Sequence, residues 1–165
     1  MNVDQIAKLK KISQQLRKSV IRELSEAGSG HSAGCLGFAD VMAVLYFHAM
    51  RLDPENPNWE YRDIFVMSNG HYAPLLYATL AERGFFDKKE LANLRKFDSK
   101  LQGHPERGSL AGVETTSGPL GCGLSQAAGM AYSLQYLGGN SERFVYCSLG
   151  DGELDEGNIW EAAMF

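Results

Sequence analysis

The chain has 165 residues and a net charge of −4, with 44% hydrophobic and 22% charged residues. This composition indicates a globular protein with a sizeable core and argues against disorder. The acidic balance disfavours a protein that binds nucleic-acid phosphates, because such proteins usually present a basic face. The apolar stretches are too short to span a membrane, and the start, MNVDQIAKLKKI, lacks a signal-peptide core. We therefore expect a cytoplasmic protein.

Three cysteines, Cys35, Cys122 and Cys147, are odd in number and widely spaced. They form no C-x-x-C pair, so the pattern favours small core residues over disulfides or a zinc site.

The first half of the chain is mostly helical in its apolar spacing. The predicted elements are a helix over 4–26, a break at Gly28, Gly30 and Gly34, a helix over 37–50, a strand over 64–67, a helix over 72–83 ended by Gly84, and a helix over 88–96 capped by Asp87.

The second half begins with a long loop over 98–123, rich in Gly, Ser, Thr and Pro, which is typical of a functional segment. A helix over 124–137 closed by Gly138-Gly139, a strand over 143–149 and a helix beginning near Asp155 follow. Strands that alternate with helices predict an α/β fold with an open, mainly parallel sheet and helices on both faces. We expect residues 1–165 to be part of one domain.

Polar and glycine residues follow both predicted strands, as Ser68-Asn69-Gly70-His71 and as Gly150-Asp151-Gly152. Ligands of such folds bind beyond the carboxyl ends of the strands, so this rim is the predicted site.

The acidic turn that follows the second strand holds four carboxylates, Asp151, Glu153, Asp155 and Glu156. A calcium loop does not fit, because its sixth position would be Glu156 and its twelfth Ala162. A solvated acidic turn would be unremarkable. The better interpretation is an Mg²⁺ anchor, in which Asp151 and a diphosphate share the ion, Gly150 allows the tight exit and Gly152 brings an N–H to the phosphates.

Other nucleotide patterns fail. Gly28-x-Gly30-x-x-Ala33 follows a predicted helix rather than a strand, and no P-loop sequence is present.

Three histidines, His31, His71 and His104, each follow a glycine in a predicted loop, where an imidazole can donate to phosphate or hydroxyl oxygens or move a proton. Because all three histidines follow a glycine in a loop, the pattern favours a single site that contains them.

Taken together, five segments resemble transketolases, and most of all the amino-terminal subunit of two-gene transketolases. The segments are GSGHSAG (28–34), FVMSNGHYAPLLYATLAERGFF (65–86), LQGHPE (101–106), ETTSGPLGCGLSQAAGMA (114–131) and SLGDGELDEGNIWEAAMF (148–165). The resemblance implies thiamine diphosphate and Mg²⁺ as cofactors, sugar phosphates as substrates and transfer of a two-carbon ketol unit between them. It further implies an oligomer and a carboxy-terminal subunit or further domains as partners.

The same resemblance implies roles for single residues. Asp151 is the expected Mg²⁺ ligand, Gly150 and Gly152 adjoin the diphosphate, and His71 adjoins the diphosphate and thiazolium. Backbone groups of Gly118 and Leu120 are expected to hold the aminopyrimidine. His31 and His104 are expected to face the sugar, and Glu156 to lie at a dimer interface.

The sequence departs from the family pattern at several points. Ser32-Ala33 replaces the usual Pro-Gly after His31, and Cys122 stands where Gln is common. The Asn that supplies another Mg²⁺ ligand and the glutamate that activates the aminopyrimidine lie beyond residue 165. We therefore expect the chain alone to be catalytically silent, poorly stable and weak or undetectable in cofactor binding. Two alternatives stay open: a related enzyme such as a deoxyxylulose phosphate synthase, and a non-catalytic scaffold.

Overall fold

The computed structural model describes residues 1–138 and 142–165 of the chain. These residues group into two compact units. Residues 1–50 and 71–103 form a unit made of helices, called the helical unit below, and residues 51–70 and 104–165 form a unit that contains the β-sheet, called the sheet unit. The expectation of one domain over 1–165 stays a prediction.

The helical unit contains three α-helices: α1 (Val3–Ala27), α2 (Ala33–Val44) and α3 (Ala73–Arg83). A π-helical turn over Leu45–Ala49 continues α2, and a 3₁₀ segment spans Lys88–Asn93. At the start of α1, the Asn2 side chain accepts from the Gln5 backbone N–H (2.9 Å) while the Gln5 side chain accepts from the Asn2 N–H (2.8 Å). This reciprocal capping box satisfies two N–H groups that a helix start leaves free.

Helix α1 packs against α2 and α3, and residues 73–81 of α3 are all buried. The buried face of α1 follows helical spacing, as predicted, but it includes the polar residues Ser13 and Glu23. The apolar residue Ile6 is 41% exposed instead. The helix is therefore turned slightly relative to the face that hydrophobicity alone indicates.

Two boundaries in the helical unit differ from the sequence-based prediction. Helix α2 begins at Ala33 rather than at 37, so Gly34 lies inside the helix and is not a break. The ring of Tyr72 occupies the space that a side chain at position 34 would need. The segment after Asp87 is a 3₁₀ helix that ends at Asn93. Asp87 does cap it, since its side chain accepts from the Lys89 N–H (2.9 Å).

The sheet unit contains two strands among the described residues, β1 (Ile64–Met67) and β2 (Val145–Ser148). They pair in parallel, in a register that runs from Ile64 opposite Val145 to Met67 opposite Ser148. The buried carboxylate of Asp63, directly before β1, accepts from the N–H of Phe144, directly before β2 (2.9 Å). The starts of both strands are thereby tied together. The predicted α/β class with a parallel sheet is confirmed.

Helix α4 (Cys122–Tyr132) packs against both strands and against α5 (Gly157–Met164). A π-helical turn over Ser133–Leu137 continues α4 and ends at Gly138. Gly139, the other half of the predicted stop, lies outside the described residues. The helix predicted to begin near Asp155 is α5, which begins at Gly157. A 3₁₀ turn over Gly152–Asp155 precedes it.

The structure also bears on two expectations drawn from composition, on membrane-spanning helices and on the cysteines. Within 1–138 and 142–165, no helix combines the length and the apolar character that crossing a bilayer requires. The three cysteines are free thiols, but only Cys35 is a buried core residue. Cys147 is half-buried and Cys122 is exposed at the start of α4, so the expectation that all three lie in the core is wrong.

Candidate functional site

The carboxyl ends of the two strands meet, as parallel pairing requires. The Ser68 N–H donates to the Ser148 carbonyl (3.1 Å), and the Ser148 hydroxyl donates to Asn69 Oδ1 (2.7 Å). Asn69 is 1% exposed, and its Nδ2 has no hydrogen-bond partner within the part of the chain that the structure describes. The two polar exits predicted from the sequence therefore lie side by side.

The Gly-rich turn over 117–121 lies against the exit of β1. A side chain at Gly70 would meet the Ser117 carbonyl carbon at 2.7 Å and the Gly118 nitrogen at 2.9 Å. Only glycine therefore lets this turn approach the strand so closely. Ser117 N–H in turn donates to the Pro105 carbonyl (3.1 Å), which joins the turn to the QGHPE segment. Three separate sequence motifs thus come together within the sheet unit.

His104 lies next to the same turn. Its ring carbon Cδ2 is 3.8 Å from the place that a Gly118 side chain would occupy. His104 and Leu120 are both exposed, and Gly118 is half-buried. The turn over 117–121 therefore has an exposed imidazole beside it.

The acidic turn after β2 does not present four equivalent carboxylates. Asp151, Asp155 and Glu156 are exposed, whereas Glu153 is 2% exposed. Glu153 accepts from the backbone N–H groups of Gly121 (2.7 Å) and Gly150 (2.9 Å) and from the hydroxyl of Ser68. Ser68 Oγ also accepts from the Gly123 N–H (3.0 Å). This buried carboxylate connects the exits of both strands to the start of α4.

The residues available for a metal ion and a diphosphate fit those groups. Asp151 is exposed, and among the described residues no atom apart from those of its immediate chain neighbours lies within 4 Å of the place that a side chain at Gly152 would fill. An exposed carboxylate beside open backbone offers one hard oxygen ligand and free approach for phosphate oxygens. The described residues contain no group of three His, Cys, Asp or Glu side chains that could hold a metal. Asp151 is therefore an exposed carboxylate without a cluster of ligating side chains around it among the described residues.

Two of the three predicted histidines lie together in the helical unit. The rings of His31 and His71 have centroids 5.3 Å apart in an edge-to-face arrangement. The ring of Tyr72 stands edge-on to His71, with centroids 4.6 Å apart. The pair therefore presents two imidazoles next to an aromatic support. His104 belongs to the sheet unit.

Glu153 also affects its neighbour Cys147. The pKa of the Cys147 thiol is raised to about 12, chiefly by burial and in smaller part by the negative charge of Glu153, while a hydrogen bond with the Ser68 backbone opposes both. Cys147 is therefore a protonated, unreactive thiol near neutral pH rather than a nucleophile.

Sequence reasoning missed Glu153 and Ser68 as organising residues. It grouped Glu153 with three exposed carboxylates, because one sequence contains no sign of which member of an acidic turn is buried. Ser68 was placed at the rim but given no role. Only their positions in the sequence could have indicated these roles. A serine at the exit of a buried strand and a glutamate three residues after Gly150 can both point back into the sheet.

Comparisons with known proteins agree with this geometry. Residues 8–165 match the family described as transketolase, thiamine diphosphate binding domain. Human transketolase is 49% identical over 157 residues, which cover 95% of this chain and 25% of that protein. A 6-deoxy-6-sulfo-D-fructose transketolase subunit from Clostridium sp. (strain MSTE9) is 43% identical over 150 residues, covering 91% of this chain and 54% of the subunit.

Solved structures give the same result. Transketolase from Campylobacter jejuni superimposes with a TM-score of 0.86 at 39% identity, covering 98% of this chain and 26% of that one. Transketolase from Leishmania mexicana gives a TM-score of 0.85 at 36% identity, covering 93% and 24%. The chain spans about a quarter of the length of these full transketolases. The chain belongs to the transketolase thiamine diphosphate binding domain family.

Proposed function

We propose that this chain binds the diphosphate end of thiamine diphosphate through Mg²⁺ and takes part in ketol transfer between sugar phosphates, together with sequence that longer relatives carry. The observation that supports this most directly is the meeting of four motifs in the sheet unit, namely the exits of β1 and β2, the turn over 117–121 and the segment around His104. The Clostridium relative, which is described as a transketolase subunit, makes a second chain a reasonable source of the remaining sequence.

Each site residue has a role that follows from its chemistry and exposure. Asp151 offers a carboxylate oxygen to Mg²⁺, while Gly150 and Gly152 leave space for the diphosphate. Backbone groups of Gly118 and Leu120 are assigned to hold the aminopyrimidine by hydrogen bonds. The cofactor, when bound, supplies the carbanion chemistry of ketol transfer, and the protein supplies binding and orientation.

The histidines are proposed to act on the substrate and on the phosphates. Imidazoles can donate to hydroxyl or phosphate oxygens and can exchange protons near neutral pH. His71 is assigned to the diphosphate and thiazolium, and His31 and His104 to sugar hydroxyls. Glu156 is exposed, as a residue at the proposed dimer interface must be in a single chain. The cytoplasmic location and the role of Mg²⁺ are parts of the same proposal.

The test is a titration of the isotope-labelled chain, together with the remaining sequence that longer relatives carry, with thiamine diphosphate at saturating Mg²⁺, followed through amide chemical shifts, which detect weak binding. We expect shifts centred on Gly150–Gly152 and on 118–121. Asp151→Asn should weaken binding about tenfold or more, because the ion loses its anionic ligand. Asp155→Asn removes an exposed carboxylate from the same turn and should leave the affinity unchanged.

With the remaining sequence supplied, a wild-type chain that shows no shifts at millimolar cofactor would overturn the cofactor assignment and favour the scaffold alternative. Equal affinity of Asp151→Asn and wild type at limiting Mg²⁺ would overturn the metal assignment alone. Measuring ketol transfer against pyruvate decarboxylation, with the remaining sequence supplied, separates a transketolase from a deoxyxylulose phosphate synthase.

A further inference from the structure

Glu153 differs from the other carboxylates of its turn in the environment of its side chain. It is 2% exposed, while Asp151, Asp155 and Glu156 reach the surface. Burying a carboxylate is costly unless hydrogen-bond donors replace the lost water. A carboxylate at this position therefore depends on the groups that surround it.

Three donors from three separate segments surround the Glu153 carboxylate. Oε1 accepts from the Gly121 N–H (2.7 Å) and from the Ser68 hydroxyl, and Oε2 accepts from the Gly150 N–H (2.9 Å). All three partners donate, and the Glu153 side chain accepts in each of the three hydrogen bonds.

The segments that Glu153 connects are those that carry the proposed cofactor residues. Gly150 directly precedes Asp151, and Gly121 directly follows Leu120. Gly121 also has a left-handed backbone, with φ of +87°, so the turn before α4 holds a conformation that most residues avoid. A fixed acceptor opposite the Gly121 N–H helps to define that conformation.

We propose that Glu153 is a positioning residue that fixes the turns carrying Asp151 and Leu120 in the geometry that receives thiamine diphosphate and Mg²⁺. The inference rests on the proposed function. Glu153 itself does not touch the metal, because its oxygens are buried and already bonded to donors of this chain. It acts through the backbone, in the way that residues around a metal site orient the groups that bind directly.

Glu153→Gln tests the proposal with little change in volume. The amide keeps one acceptor oxygen but turns an NH₂ group toward a backbone or hydroxyl donor, so at least one of the three links is lost. Asp155→Asn is the matched control, since it makes the same chemical change two residues later on an exposed side chain.

The experiment compares wild type, Glu153→Gln and Asp155→Asn in two measurements. The first is amide hydrogen exchange without cofactor, in which Glu153→Gln should speed exchange at Gly121 and Gly150 about tenfold or more. The second is the thiamine diphosphate titration at saturating Mg²⁺, in which Glu153→Gln should raise the Kd about tenfold to a hundredfold. Asp155→Asn should match wild type in both.

If Glu153→Gln folds and binds thiamine diphosphate as tightly as wild type, the proposal is overturned even if the variant is less stable. If Glu153→Gln does not fold, Ser68→Ala decides, because it removes one donor and leaves both backbone links. We expect Ser68→Ala to raise the Kd about threefold to tenfold, and an unchanged Kd overturns the proposal. Failure of the wild type to bind overturns the proposed function first, and this inference with it.

Discussion

Two glutamates of this protein are almost equally buried, and their surroundings are opposite. Glu153 in the sheet unit is 2% exposed and accepts from three donors, while Glu23 in the helical unit is 1% exposed. Neither oxygen of Glu23 has a hydrogen-bond partner among the described residues. Burial raises the pKa of Glu23 to about 9, so this side chain is a neutral acid at pH 7. Burial alone therefore does not define the role of a carboxylate, whereas its donors do.

The neighbours of the two glutamates show the same contrast. Glu23 lines a surface cavity whose charged members are Arg22, Glu26, Lys88 and Lys89, yet none of their groups bonds to its oxygens among the described residues. Nearby, burial raises the pKa of the Cys35 thiol to about 11. Glu153 instead adjoins the residues of the proposed cofactor site. Glu153 thus organises the proposed site, whereas Glu23 is buried as a protonated acid.

The largest expected effect comes from removing the satisfied carboxylate. Glu153→Ala leaves the N–H groups of Gly121 and Gly150 without their acceptor, and at about 1–3 kcal/mol for each unsatisfied group the two together cost about 2–6 kcal/mol. We expect the free energy of unfolding, measured in urea at pH 7, to fall by about that amount. Asp155→Ala, on the exposed side of the same turn, should stay within about 0.5 kcal/mol of wild type. Equal stabilities of the two variants would contradict the contrast between buried and exposed carboxylates.

The next effect concerns the unsatisfied carboxylate and depends on pH. The pKa of Glu23 is near 4.5 when unperturbed and rises to about 9 in the folded chain, so the folded state holds its proton over a range in which the unfolded state releases it. The contribution of Glu23 to the free energy of unfolding is therefore fully present below about pH 4.5 and is lost as pH rises toward 9. The pKa of Asp40 is lowered to about 2, chiefly by its hydrogen bond with Arg17. Asp40 therefore affects the free energy of unfolding only at lower pH.

Glu23→Gln should remove most of this dependence, so its free energy of unfolding should be flatter than that of wild type between pH 5 and pH 9. Glu23→Met, which fills similar space without a charge, should be more stable than wild type at pH 8 by a few kcal/mol. Urea unfolding at several pH values measures both. Parallel curves for wild type and Glu23→Gln would show that Glu23 finds donors in solution, and the comparison with Glu153 would then fail.

The smallest expected effects lie in α4 and sharpen the part played by Ser68. A methyl group added by Gly123→Ala would overlap the Ser68 side chain and approach its Cα to 2.6 Å, so the strand exit must shift. We expect a loss of about 1–3 kcal/mol in the free energy of unfolding. Gly129→Ala lies in the same helix with no atom within 4 Å of the added methyl, and it should gain up to about 1 kcal/mol. A gain for both variants would show that the contact between Ser68 and α4 is loose.

Much of the fold could be predicted from the sequence because local patterns dictate it. Helical spacing from Leu9 to Val20 sets α1, and the apolar runs Ile64–Met67 and Val145–Ser148 set the two strands. Their parallel pairing follows from the helices between them. The motifs at the strand exits likewise had to meet, since parallel strands bring their carboxyl ends to one edge. The expected roles of single residues came from a family resemblance carried by the motifs.

The tertiary structure alone decided which polar residues became interior. Ser13 and Glu23 lie on the buried face of α1 although their chemistry predicts exposure, because the helix turns to pack against its neighbours. Gly34 lies within α2, where the Tyr72 ring fills the space that a side chain would need. Glu153 alone of the four clustered carboxylates turns inward, where it accepts from Gly150 of its own turn and from Ser68 and Gly121 of two distant segments. Sequence spacing describes neighbours along one element, but the free energy of a buried charge depends on donors that only the folded chain brings together.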